Sequence, residues 1–318
     1  MSPPLIRLSG IPLAQLPSPT ASPDALSTFV LTILREALPF IDSASPTSGS
    51  PVDPKLWKHK GDKTSPDSAA KVEAWERVCQ PAGTAEKETW ALRKSVHEDR
   101  AETGTASWAE FERCFRDEHA EAEDAFTPNV LATHEALAWD CAGISPTQEG
   151  GQTWGDFRLR VEEMRHKIGK PLKDRTFPVL QLTAGVEGGH EFVVVSIPVP
   201  DFGSSESSKL AREKTAQVAY YVSVERIRKL ADGKIEWLMA TASDAGGVLP
   251  QFVQNLAMPG VVWKDVPLFL AWIAKERQKR DVARDGVFDK GRQTQAQEPA
   301  GPATASAADP QPLYSSAA

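Results

Sequence analysis

YYVSVERIRKLADGKIEWLMATASDAGGVLPQFVQNL, residues 220–256, decides the fold. It takes in most of one apolar, β-branched run, Gln217–Arg228, and all of a second, Lys234–Thr241. Asp232-Gly233 joins them, a tight-turn pair that makes consecutive strands antiparallel neighbours. In the second run Ile235, Trp237, Met239 and Thr241 alternate onto one face, and Glu236 falls on the other as an expected solvent-facing residue. The period then changes. Asp244, Gly246, Gly247 and Pro250 form a connection, after which Phe252, Val253 and Leu256 share one face of a helix over Leu249–Met258. Val266, Phe269, Leu270 and Ile273 form a second helical stripe over Asp265–Arg280, with Pro259-Gly260 as a kink between the two.

Upstream, Asp156–His166, Thr176–Val186 and Glu191–Val199 read as further strands, the last two joined by the turn at 187–189. Thr89–His97 also alternates as a strand. Ser107–Phe126 reads as a helix with a capping box of Ser107 and Glu110, and Thr133–Trp139 fits helix or strand. Strand, helix, antiparallel strands and a long C-terminal helix make an α+β class, with helices segregated to one face of a sheet.

Around this core, residues 1–21 and 281–318 are expected to be disordered and residues 43–70 to be a flexible linker. Their Pro, Ser, Gly, Ala and Gln content buries too little apolar surface to offset chain entropy. Residues 22–42 form an amphipathic helix capped by Ser22, with Leu26, Phe29, Val30, Ile33, Leu34 and Ala37 on one face. The folded domain is expected over 71–280.

The 318 residues carry 43 acidic against 36 basic side chains, a balance that argues against a nucleic-acid partner. No apolar run is long enough for a transmembrane segment, and the proline-broken N-terminus does not read as a signal peptide. Cys79, Cys114 and Cys141 make no CxxC pair, which fits reduced thiols and a cytoplasmic location. The six histidines have no metal-ligand spacing, and no nucleophile-elbow, zincin, Walker or dinucleotide motif occurs, so neither a metal nor a cofactor is expected.

Three stretches, EMRHKIGKPLKDRTFPVLQL (163–182), residues 220–256, and W-x-L-R-K-S-x-H (90–97) with SWAEFERCFRDEH (107–119), resemble START domains of the StAR-related lipid-transfer superfamily. The nearest resemblance is to a START-like family of fungal proteins of unassigned function. It implies a helix-grip fold, a curved antiparallel sheet wrapped around a long C-terminal helix, with a lipid or sterol cavity between them.

On that reading Trp237, Met239, Phe252 and Leu256 wall the cavity, or else simply pack the core. Arg93 and His97, on the same side of their strand as Ser95, orient a ligand head, or else face solvent. Arg175 matches a START arginine that supports the fold through a carboxylate, with Asp174 and Glu163 as candidate partners, or else touches ligand. Asp244, Gly246, Gly247 and Pro250 act as a hinge for the last helix, or are turn chemistry alone. Lys275, Arg277, Lys279 and Arg280 allow transient membrane contact or complement the helix dipole. The function expected is non-enzymatic binding of a phospholipid or sterol for transfer or sensing, released when the last helix or the 201–214 loop moves. The alternatives are a protein-interaction scaffold and a cyclase- or hydratase-like enzyme.

Overall fold

The computed structural model describes residues 4–81, 87–169, 172–244 and 260–295, with side chains to Arg280. Helix α1 (Pro23–Asp42) begins as its sequence dictates: Ser22 Oγ accepts the Ala25 N–H at 3.3 Å and Pro23 takes the first turn. Then come β1 (Lys58–Ser65), β2 (Ser68–Cys79), β3 (Glu88–His97), α2 (Trp108–Phe111), a π-helical turn (Glu112–Asp117) and α3 (His119–Phe126). The remaining strands are β4 (Val130–Trp139), β5 (Thr147–Glu149), β6 (Gln152–His166), β7 (Arg175–Val186), β8 (Glu191–Pro198), β9 (Gln217–Val218), β10 (Tyr220–Lys229) and β11 (Ile235–Asp244). Helix α4 (Asp265–Gln295) closes the described chain.

The strands form one sheet in the order β1-β2-β3-β11-β10-β8-β7-β6-β4, with β5 on β6 and β9 parallel to β7; every other pairing is antiparallel. This is the helix-grip layout expected. The chain divides into two compact units, Met1–Ala274 and Lys275–Ala318. In the first, both faces of the sheet are covered. On the outer face Leu26, Val30, Ile33 and Leu34 of α1 join a core with Leu92, Leu182, Val195 and Leu238. On the inner face Phe111, Phe115, Phe269, Leu270 and Ile273 pack with Phe192, Val194, Ile227 and Trp237. Within the second unit, Lys279 Nζ pairs with Glu276 at 2.6 Å, and Lys275, Lys279 and Arg280 are exposed.

Several expectations are corrected. The 43–70 segment is not a linker throughout, because it holds β1 and the start of β2. β1 buries little, so composition cannot reveal it; backbone pairing to β2 holds it, and its charges suit a sheet edge. Residues 4–21 are likewise placed: Ile11 is fully buried, with its N–H on Pro198 O at 3.0 Å. Glu36 accepts the N–H groups of Leu5 and Ile6, and Glu88 accepts that of Leu8. Those carboxylates are distant in sequence, which is why local composition misleads. The folded unit therefore starts well before residue 71. Helix α4 extends to Gln295, into the stretch expected to be disordered. The Ser107–Phe126 helix is divided by the π turn, while its capping box forms as expected. The 133–139 ambiguity resolves as strand.

Glu236 is only 3% exposed, because a sheet covered on both faces has no solvent side at its centre. It receives Ser45 Oγ at 2.6 Å and Arg228 Nε at 2.8 Å, and Lys94 Nζ lies 3.3 Å away. The 201–214 loop, expected to move, is held by the buried Glu163 carboxylate. That group accepts bonds from Ser208 Oγ and from the N–H groups of Lys209, Leu210 and Ala211, all at 2.7–2.8 Å.

Candidate functional site

Cross-strand register assembles the inner face into rows. Arg93 on β3, Met239 on β11 and Glu225 on β10 stand directly opposite one another, followed by Val194 on β8 and Thr183 on β7. The next row, two residues along each strand, is Ala91, Thr241, Ser223, Ser196 and Gln181. All five are buried, and four of them are small. Tyr221 and Phe177, half-buried and with ring centroids 5.6 Å apart, stand beyond that row.

Arg93 is the centre of the site and only 2% exposed. Its Nη2 donates to Glu225 Oε1 at 3.1 Å, its Nε lies 3.5 Å from Asp265 Oδ2 at the start of α4, and its guanidinium stacks 4.0 Å from the Trp237 ring centroid. Its Nη1 is buried without a hydrogen-bond acceptor, and its Nε faces only the Asp265 carboxylate. Glu225 also accepts Trp237 Nε1 at 2.6 Å, and its other oxygen lies 3.5 Å from His119 Nε2. On the far side of His119, Nδ1 is 3.9 Å from Glu123 and 3.4 Å from the Gln181 amide.

Burial drives the ionisation of this group, and the neighbours decide each sign. Burial, with Asp265 and Glu225 adding like charge against the pull of His119, pushes Glu123 up to about 7. Burial raises Asp265 to about 6 despite Arg93. Burial alone would raise Glu225, but His119, Arg93 and Trp237 hold it below the usual carboxylate range. Burial alone would lower His119, yet Glu225 and Glu123 keep it above the ordinary imidazole value.

The expected site residues divide into three groups. Arg93, Trp237 and Met239 come together. Trp237 sits inside a packed aromatic cluster, 4.7 Å from Phe115 and 5.5 Å from Phe111, so it packs the core; Met239 is half-buried. His97 faces the same side, which is not the solvent side, and is 1% exposed with Nε2 on Ser95 Oγ at 2.8 Å; its Nδ1 lacks a partner. Burial, then the nearby Arg93, lowers it to about 3. Arg175 begins β7, two residues before Phe177, and donates to Lys173 O. Glu163, once its candidate partner, is committed to the 208–211 loop. Asp244 ends β11 opposite Tyr220. Gly246, Gly247, Pro250, Phe252 and Leu256 lie outside the described residues.

Sequence reasoning missed Glu225, His119, Glu123, Asp265 and the small-residue row. Glu225 was legible, since the alternation of Tyr221, Ser223, Glu225 and Ile227 puts a carboxylate on a strand's apolar face. No group of side chains suited to hold a metal occurs among the described residues, and no described helix is long and apolar enough to cross a membrane.

Solved structures share the fold. Human STARD10 aligns at 12% identity with a TM-score of 0.52, over 78% of this chain and 82% of that one. Human StAR-related lipid transfer protein 5 aligns at 13% identity with a TM-score of 0.50, over 81% of this chain and 99% of that one. No curated protein matches in sequence. Residues 90–273, more than half of the chain, match the family described as Protein of unknown function (DUF3074), and the chain belongs to that family.

Proposed function

We propose that this domain binds one uncharged hydrophobic molecule, of lipid or sterol size, on the inner face of the sheet with its polar end at Arg93. The observation that carries this reading is the buried Arg93 Nη1, which has no acceptor, beside a row of small side chains. A buried unsatisfied donor costs about 1–3 kcal/mol, so a ligand hydroxyl or carbonyl oxygen delivered there restores a missing bond. The hydrocarbon body gains about 25 cal/mol for each Å² taken from water. Glu225 and Asp265 flank the arginine, so a phosphate at this point meets carboxylates; that favours uncharged heads over anionic ones. The lipid-transfer name of one human structure supports the class of ligand through shared fold alone. Transient membrane contact would load and unload the site.

One observation favours a second reading, acid–base chemistry on the bound molecule: His119 lies 3.5 Å from Glu225 and 3.9 Å from Glu123.

The test incubates the full chain with vesicles containing cholesterol, diacylglycerol or phosphatidic acid, followed by native mass spectrometry and identification of what is bound. Stoichiometric uptake of a neutral lipid, lost in Ser223→Phe, which fills the row, and in Arg93→Met, is expected. Uptake of phosphatidic acid alone, or a clean protein mass in all three cases, overturns the reading. A bound lipid returned chemically altered by the wild type and intact by His119→Gln would establish the second reading.

A further inference from the structure

The two edges of the sheet differ in chemistry. β1, at one end, carries Lys58, His59, Lys60, Asp62 and Lys63, the charged dress of a strand that resists pairing. β4, at the other end, reads VLATHEALAW. It has one formal charge, Glu135, and no lysine or proline, and its Leu131 is 50% exposed. Among the described residues, no strand pairs with its edge away from β6. An open row of backbone N–H and C=O groups on an apolar strand is a template for another strand.

We infer that β4 pairs with β4 of a second copy of this chain, antiparallel about a twofold axis through His134. Two bulges, at Leu131 and at Ala136, bound a regular run from Ala132 to Glu135, so the axis must fall within it. Residues opposite each other across such an axis share a face, so the central residue meets itself. Centring on Glu135 sets two carboxylates face to face. Centring on His134 instead puts Thr133 of each copy opposite Glu135 of the other. There the threonine hydroxyl donates to a carboxylate whose Oε2 is already held by Arg160 at 3.2 Å. The pairing also closes: the edges left at the far ends of the doubled sheet are the two charged β1 strands, which stop further growth. The short regular run makes this a concentration-dependent dimer rather than a permanent one.

The test is sedimentation velocity on the full chain over a wide concentration series, with amide exchange read at both ends of it. The wild type is expected to shift from monomer to dimer, with added protection at Ala132–Glu135 and none in β1. His134→Lys and His134→Glu, melting as the wild type does, are each expected to weaken association at least tenfold. Mixed together they associate again, because only a self-opposed residue lets that pair attract. A concentration-independent monomer, a dimer protected elsewhere, or a Lys/Glu mixture that stays monomeric overturns the proposal.

Discussion

Arg93 and Glu225 stand on either side of Met239 in one cross-strand row, and their side chains meet at 3.1 Å with both groups buried. Three strands therefore hold this ion pair in register. Breaking a buried pair from one side strands the other charge, at a typical cost of about 3–5 kcal/mol. Arg93→Met should lose stability on that scale in urea unfolding. Glu225→Gln should lose less, because Asp265 still faces the guanidinium. The double variant should be markedly more stable than the sum of the two losses implies. Simple additivity would mean the pair is not coupled.

Stability should carry a pH signature from Glu123. Its carboxyl titrates at about 7 in the fold, against about 4 in an unfolded chain. The folded state therefore holds the proton more tightly, and this contribution is complete at low pH and lost as pH rises through the folded value. Asp265, at about 6, and His119, also raised, act in the same direction. His97, at about 3, and His166, lowered by burial to about 4, act oppositely, since acid must charge them in a buried setting. The total curve mixes these groups, so the informative quantity is wild type minus Glu123→Gln. That difference should fall between about pH 4 and about pH 7 and level off on either side. A flat difference would place Glu123 in ordinary solvent.

The strands and the last helix were readable because their side chains alternate or recur at helical spacing. Trp237, Phe269 and Ile273 declared their face without help from the rest of the chain. The segments read as unstructured were not readable, because partners far along the chain hold them: Ile11 by Pro198, Leu5 and Ile6 by Glu36, β1 by β2. Arg93 was found as a residue but not as a site. Its partners Glu225 and Asp265 come from separate strands and helices, and only register joins them. Glu236 was misread for a related reason: alternation names two faces but cannot say that both are covered.

Gly10 tests the ordered N-terminus. Its φ of +64° already favours glycine, and a Cβ there would lie 2.0 Å from Pro198 O. Gly189 has a similar φ of +71° with nothing within 4 Å of an added Cβ, so it isolates the backbone term. Gly189→Ala should cost about 1 kcal/mol, the usual penalty for a side chain in that region. Gly10→Ala should cost clearly more and should open residues 4–16 to limited proteolysis. Equal effects at the two positions would mean that the segment does not rest on β8.

Glu163 tests whether the 201–214 loop is a lid. Three backbone N–H groups and the Ser208 hydroxyl all donate to this one carboxylate, at 2.7–2.8 Å. Glu163→Gln keeps the shape but replaces one acceptor oxygen by an NH₂ group that faces donors. Bonds to a charged acceptor contribute about 1.5–3 kcal/mol each to stability, so a loss of at least about 2 kcal/mol is expected. Amide exchange at Lys209, Leu210 and Ala211 should accelerate far more than exchange in β6, on which Glu163 sits. If the loop instead opens during each ligand cycle, those three amides will exchange quickly in the wild type, and the substitution will change them little.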